Sequence, residues 1–325
     1  MLRKKILDII VPVYNQSEVI SRFLESASLL KSNEVNVILI NDGSTDNTVE
    51  IISNFIKAES IENFYLVNKK NGGVSSARNT GLDYACSEYV WFCDPDDQIS
   101  KAFETSLLDN DGDVDVYVFS YETHNISTGE VRTVFRSTDN TDGIHFILNN
   151  NSLSHQYWHP ASDGTLWDKI YKRESISNIR FKTDLVCSED FDFNLNFFRQ
   201  MVHVILLDVV IYRYNVYSHG TLSSFYNDSI FENRIFAGRQ TIHFLKKYKV
   251  DVRGEIKKHI LKTSHLLSKK YYMEPYKFYM GEHAYFDVKI YPFTSLNECL
   301  LLALSFFKIY VPLIKLYRFV KRAIE

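Results

Sequence analysis

Hydrophobic positions in the first third of the chain switch repeatedly between two periods. Nearly continuous apolar runs of strand length occupy Ile6–Val13, Val35–Asn41, Asn63–Asn68 and Tyr89–Cys93. Between them, Glu18–Lys31, Asp46–Glu59 and Ser75–Ala85 carry apolar residues at helical spacing, such as Val19, Phe23 and Leu24, or Val49, Ile52 and Ile56. Asp46 and Ser75 stand where helix N-caps belong. Strand and helix alternating in this way predict an α/β domain with a mostly parallel central sheet flanked by helices on both faces, Rossmann-like in its first half.

The pattern continues with a strand at Val114–Tyr121 and a hairpin-like segment at Glu130–Phe135. Asp139–Gly164 is polar and weakly periodic, and reads as a loop or lid near an acceptor. A helix is expected over Asp190–Met201 and a closing strand over Val202–Tyr214. The core domain is placed at 1–224. Residues 225–325 read as a helical C-terminal extension, with amphipathic helices at Ile230–Lys249 and Val252–Lys270.

In open α/β sheets ligands gather at the carboxyl ends of the strands, and the polar motifs fall there. Pro12-Val13-Tyr14-Asn15 closes the first strand and Asn41-Asp42-Gly43-Ser44-Thr45-Asp46 the second. A flat base fits between two such turns: Asp42 can accept an imide N–H, and Tyr14 can stack on or border the ring. Asn-Asp-Gly-Ser is equally ordinary turn chemistry. After the third strand, Asn71-Gly72-Gly73 opens a helix that carries Arg78, a combination suited to diphosphate. The fourth strand ends in Asp94-Pro95-Asp96-Asp97. Three carboxylates within four residues repel one another and invite a hard divalent cation, Mg²⁺ or Mn²⁺, able to bridge carboxylate and diphosphate.

Composition narrows the classes. Of 325 residues, 45% are hydrophobic and 24% charged, which suits a globular chain and excludes disorder. The formal net charge of −3 gives no field for nucleic acid, which is not an expected partner. Four scattered cysteines, Cys86, Cys93, Cys187 and Cys299, suit a reducing compartment with buried thiols. Met1-Leu2-Arg3-Lys4-Lys5 leads straight into a strand without an apolar leader, so export is not expected. The first strand leads into no Gly-x-Gly-x-x-Gly turn, which argues against dinucleotide oxidoreduction.

Ile10 through Asn15, Asn41 through Asp46, Asn71-Gly72-Gly73 through Arg78-Asn79-Thr80-Gly81, and Asp94 through Asp97 together resemble family 2 glycosyltransferases of the GT-A fold, in order and spacing. The resemblance implies that Pro12, Tyr14 and Asp42 contact a nucleoside, with Asn71, Gly72 and Arg78 near the donor phosphates. It also implies that Asp94 borders the donor and Asp96 ligates the metal. Pro95 replaces the usual small residue and removes an N–H, which unsettles the sugar pocket. Trp167-Asp168-Lys169-Ile170-Tyr171 resembles the family's Trp-Asn-Lys-Leu-Tyr segment, adding Trp167 and Lys169 to the nucleotide-sugar contacts, with Asp168 a departure. Ser188-Glu189-Asp190-Phe191-Asp192-Phe193 resembles the Glu-Asp-x-x-Phe segment, which implies that Asp190, with Glu189 second, is the base of an inverting transfer. By spacing alone these are acids opening a helix. Arg213 or His219 could close over the diphosphate, with His219 a secondary metal candidate.

The expected donor is a UDP-sugar. The resemblance implies as acceptor a lipid-linked or oligosaccharide glycan of O-antigen or capsule type, with undecaprenyl diphosphate as the carrier. Leu300–Ile314 is almost wholly apolar and is followed by Lys315, Arg318, Lys321 and Arg322. Too short and interrupted to span, this segment suits peripheral contact with the cytoplasmic membrane face. A nucleotidyltransferase, or an inactive relative that only binds nucleotide-sugar, remains the alternative.

Overall fold

The computed structural model describes residues 5–31, 33–108, 113–149 and 164–217, with scattered positions between 233 and 248. His219, residues 150–163, Val252–Lys270, Leu300–Glu325 and most of Ile230–Lys249 lie outside the described residues. Residues Met1–Phe225 form one compact unit and Tyr226–Glu325 a second, and the sheet belongs to the first.

The described strands are β1 (Leu7–Val13), β2 (Val35–Asn41), β3 (Phe64–Asn68), β4 (Tyr89–Phe92), β5 (Gln98–Ile99), β6 (Val116–Asn125), β7 (Val131–Val134), β8 (Asp139–Asp142), β9 (Lys169–Lys172) and β10 (His203–Val216). The helices are α1 (Ile20–Ala27), α2 (Thr48–Ala58), α3 (Val74–Tyr84), α4 (Gly143–Asn149), α5 (Arg173–Ile176) and α6 (Glu189–Phe198). The ten strands form one sheet in the order β3-β2-β1-β4-β9-β6-β10-β5, with β7 on β6 and β8 on β10. β3, β2, β1 and β4 are parallel, as are β6 and β10, whereas β9 runs antiparallel to both β4 and β6 and so joins the two halves.

β1 and β2 are buried along their whole length, which explains their nearly unbroken apolar runs. Alternate residues serve opposite faces. Leu7, Ile9, Val11, Val37 and Leu39 join Ile20, Phe23, Leu24 and Ile52 of α1 and α2 in one core, while Ile38 and Ile40 pack with Ala77 of α3. Helix α3 lies so close to β1 that a Cβ on Gly81 would stand 2.2 Å from Ile10 Cγ2. Gly81→Ala should therefore cost about 2 kcal/mol despite the better helix propensity of alanine, read as a lowered Tm. An unchanged Tm would mean that α3 can shift freely on the sheet.

Several boundaries differ from the pattern-based reading. Helix α1 ends at Ala27, before Leu29 and Leu30, and Ser26 and Ser28 hydroxyls donate to the Phe23 and Glu25 carbonyls, competing with the helix ladder. Asp46 precedes the N-cap Asn47 yet still accepts the Thr48 N–H at 3.1 Å. Ser75 is inside the first turn of α3, since Gly73, with φ of +84°, is the N-cap. The segment expected to be a loop from Asp139 starts with strand β8, paired to β10, and helix α4, whose Phe146 and Ile147 are buried. The Asp142 carboxylate accepts the Ile144 and His145 N–H groups at 3.0 and 2.9 Å, a helix start hidden by the polar composition around it.

Among the described residues no helix is long and apolar enough to cross a membrane.

Candidate active site

The first two strand ends are sewn together. The Asp42 N–H donates to Val13 O at 2.8 Å, the Asn15 N–H to Ser44 Oγ at 3.0 Å, and the Thr45 N–H to Asn15 Oδ1 at 2.8 Å. The Ser17 N–H donates to Asp46 Oδ2 and the Gln16 N–H to the Thr48 hydroxyl. Asn15 takes φ of +51°, a left-handed conformation asparagine tolerates well. This weave leaves Tyr14 exposed (45%) above the turn, while Pro12 is buried in the strand.

Asp42 is 2% exposed and ties the third strand end to the second. Its carboxylate accepts the Gly72 N–H at 3.0 Å and the Gly73 N–H at 2.7 Å, and pairs with the Lys69 ammonium. The Asn71–Gly73 turn is thus anchored by Asp42. Gly43 is required where the two turns meet, since a Cβ there would stand 3.0 Å from the Asn71 nitrogen.

Arg78 connects the remaining motifs. It is 6% exposed on α3, and its guanidinium donates to Glu189 Oε1 at 2.9 Å and Asp94 Oδ1 at 3.2 Å while lying 5.4 Å from the Phe181 ring centroid. Burial opposes the charge, but Asp94, Glu189 and Asp190 outweigh it and raise the Arg78 pKa. One buried cation therefore binds the end of β4 to the start of α6. The acids are brought there by aromatic packing. Phe193 of α6 stacks on Phe181 at 4.2 Å and meets Phe92 of β4 edge-on at 5.6 Å. Ser188, immediately before Glu189, is held at φ of +64°, uncommon for serine and consistent with strain kept at a working turn.

The carboxylates differ in state. Burial, then the Glu189 charge, pushes Asp190 up to about 7, with Arg78 restraining the rise. Burial, then Asp94, pushes Asp96 up to about 6. Asp97 is fully buried, and burial with its acidic neighbours raises its pKa well above the usual carboxylate range. Its Oδ1 accepts the Asn215 N–H at 2.7 Å.

Strand β10 holds this acidic loop from behind. The Asp94 N–H donates to the Tyr212 hydroxyl at 2.9 Å, and the Asp96 carbonyl accepts from Asn215 Nδ2 at 2.7 Å and from the Tyr217 hydroxyl at 3.2 Å. Asn215 and Tyr217 were not among the residues singled out from sequence, because nothing local to them signals a contact across more than a hundred residues.

Trp167 and Lys169, two of the expected donor contacts, are buried. Lys169 is fully buried, and its ammonium donates to Thr165 O and Asp168 Oδ1, each at 2.7 Å. Trp167 is 5% exposed, parallel to the Tyr212 and Tyr214 rings. The carboxylate at Asp168 is buried and needs compensation, and Lys169 and Arg136 provide it. Burial opposes ionisation of Asp168, yet those two cations hold its pKa below the usual range. Arg213 pairs with Glu122 of the neighbouring strand at 3.0 Å.

A divalent cation fits the acidic loop by donor chemistry. The Asp96 carboxylate makes no hydrogen bond to another described residue, and Asp97 Oδ2 is buried without a hydrogen-bond partner. Among the described residues no three His, Cys, Asp or Glu side chains make a closed metal cage. Mg²⁺-type ions are commonly held by one or two carboxylates completed by substrate phosphate.

A sheet ordered in this way, with an acidic loop at the end of β4 and helices on both faces, defines a protein of the GT-A fold. A family model described as glycosyl transferase family 2 matches residues 8–180, and the chain belongs to that family. It is 28% identical over 214 residues to the uncharacterized glycosyltransferase EpsJ of Bacillus subtilis, covering 64% of this chain and 60% of EpsJ. It is 31% identical over 202 residues to the uncharacterized glycosyltransferase YibD of Escherichia coli, covering 58% of this chain and 56% of YibD. The chain thus spans under two thirds of each relative's length. In fold it resembles S. aureus TarS (residues 1–349) in complex with UDP-GlcNAc, with a TM-score of 0.65 at 20% identity over 96% of this chain and 91% of that one.

Proposed function

We propose that the protein is an inverting glycosyltransferase that moves a hexose or N-acetylhexosamine from a UDP-sugar to a glycan acceptor carried on undecaprenyl diphosphate, in O-antigen or capsule synthesis. The observation that carries this reading is the Arg78 bridge, which ties the Asp94–Asp97 loop to the Glu189–Asp190 pair through Asp94 and Glu189.

In this reading the uridine occupies the seam between Pro12–Asn15 and Asn41–Asp46, beside Tyr14 and Asp42. Asn71 and Gly72 border the diphosphate, and Arg78 can exchange a carboxylate oxygen for a phosphate oxygen with little movement. Asp96, with Asp94 beside it, would hold Mn²⁺ or Mg²⁺. Such an ion, when bound, supplies neutralisation of charge on the departing nucleotide. Asp190 accepts the proton of the attacking acceptor hydroxyl, a task suited to a carboxylate whose pKa sits near 7. Glu189 is committed to Arg78 and sets the charge around the base. His219 is a further candidate for the metal or diphosphate. The lipid carrier is supported by the apolar and basic segment at Leu300–Arg322, which suits peripheral binding at the inner membrane face.

The test is a panel of nucleotide-sugars given to the purified protein with Mn²⁺ or Mg²⁺ and a lipid-diphosphate acceptor analogue. Metal-dependent release of UDP and a lengthened acceptor are expected. Release of inorganic diphosphate would instead mark a nucleotidyltransferase, and nucleotide binding without any product would mark an inactive relative.

A further inference from the structure

Lys69 follows directly on β3 and is anchored both at its backbone and at its ammonium. Its N–H donates to Asn41 O at 3.0 Å, while the ammonium pairs with Asp42 Oδ1 and donates to Lys70 O at 2.8 Å. Gly72 leaves space for it, since a Cβ there would stand 3.1 Å from Lys69 Nζ. The ammonium is thereby fixed between the second and third strand ends before any ligand arrives.

The two partners differ in what they can still offer. Asp42 accepts from the Lys69 ammonium and from the Gly72 and Gly73 N–H groups, using both oxygens, and its side chain is 4% exposed. The Lys69 side chain is 19% exposed. An ammonium has three protons, and Asp42 and Lys70 O take two of them, which leaves one for a ligand. A ring arriving from the side on which Tyr14 is exposed therefore meets a donor at Lys69 more readily than an acceptor at Asp42.

A pyrimidine joined to ribose through N1 carries C4 at the opposite corner of the ring, so C4 and its neighbour N3 enter such a seam deepest. Uracil presents a carbonyl oxygen at C4, whereas cytosine presents an amino group. An ammonium can donate to the first and is left facing another donor in the second. We infer that Lys69 donates a hydrogen bond to the C4 carbonyl oxygen of a uracil ring and so selects uridine over cytidine nucleotides. The inference rests on the donor reading above and deepens it.

The test is calorimetry of full-length wild type and Lys69→Met with UDP, CDP and 4-thio-UDP. The methionine keeps the length of the side chain and removes the ammonium. Wild type should bind UDP about tenfold tighter than CDP, the size expected of one hydrogen bond from a charged group. Lys69→Met should lose about tenfold in affinity for UDP and little for CDP, so that the preference disappears. 4-Thio-UDP exchanges only the C4 oxygen for a weakly accepting sulfur and should bind wild type about fivefold more weakly than UDP, a comparison that needs no substitution. Wild type that binds UDP no tighter than CDP or 4-thio-UDP overturns the inference, as does Lys69→Met with unchanged affinity for UDP. An equal fall for UDP and CDP in the variant also overturns it, since Lys69 would then only hold the turn. Wild type that binds none of these nucleotides would defeat the donor reading itself, a result distinct from an absent preference.

Discussion

Asp190→Asn should bind UDP as wild type does and lose turnover by about 10²–10⁴-fold, the range for removing a general base. The amide keeps the shape and cannot take a proton. In wild type, kcat/KM should rise about tenfold per pH unit below about 7, because the ionised form is the working one, and level off above it. The variant should lack that limb. Stability gives an independent check with a definite sign. A carboxyl raised to about 7 in the folded protein binds more protons than in the unfolded chain, where it titrates near 4. Its ionisation therefore opposes folding progressively as pH rises through that window. Asp190→Asn should melt about 3 °C above wild type at pH 8, with the two converging below pH 4. Turnover within tenfold of wild type would remove Asp190 from the role of base and leave Glu189 to be tested next.

Asp96→Ala should abolish the dependence of activity on Mn²⁺ or Mg²⁺ and lower kcat about a hundredfold or more, because charge on the departing nucleotide then goes unneutralised. Asp96 is raised to about 6 by burial and by Asp94, so a proton competes with the cation. Mn²⁺ affinity of wild type, followed by paramagnetic resonance in the presence of UDP, should strengthen about tenfold per pH unit up to about 6 and change little beyond. If the half-saturating Mn²⁺ concentration is the same in Asp96→Ala and wild type, the ion is held elsewhere or not at all.

These two acids stand out in the sequence for different reasons. Asp96 stands in a dense acidic cluster at the end of a buried strand, a local feature with few structural explanations. Glu189 and Asp190 are, by spacing, a favourable start to a helix, and family likeness alone raised them above that. The structure separates the pair: Glu189 is engaged by Arg78, while Asp190 bears the raised pKa. Arg78, placed near the diphosphate by its motif, stands as the bridge between the two acidic segments through its ion pairs with Asp94 and Glu189.

The burial of Lys169 and Trp167 was not legible: they stand in a family-like segment that looks available in one dimension, yet Lys169 opens strand β9, which inserts between β4 and β6, and Trp167 lies just before it. β8 and α4 were hidden by Asp139, Asn140 and Asp142, polar residues that pair at a sheet edge and cap a helix.

The alternation of period along the first hundred residues determined the parallel half of the sheet, because burial on both faces forces continuous apolar runs and the helices between them must show one apolar stripe. The same stretch determined which polar turns meet at the strand ends. Only the tertiary structure decided what holds those turns: Asp42 clasping the Gly72–Gly73 backbone, Arg78 joining acids 16 and 111 positions away, and β10 gripping the acidic loop through Tyr212 and Asn215. Such contacts depend on strand order and on which long-range neighbours desolvate a charge, and neither is encoded in the spacing of residues near it.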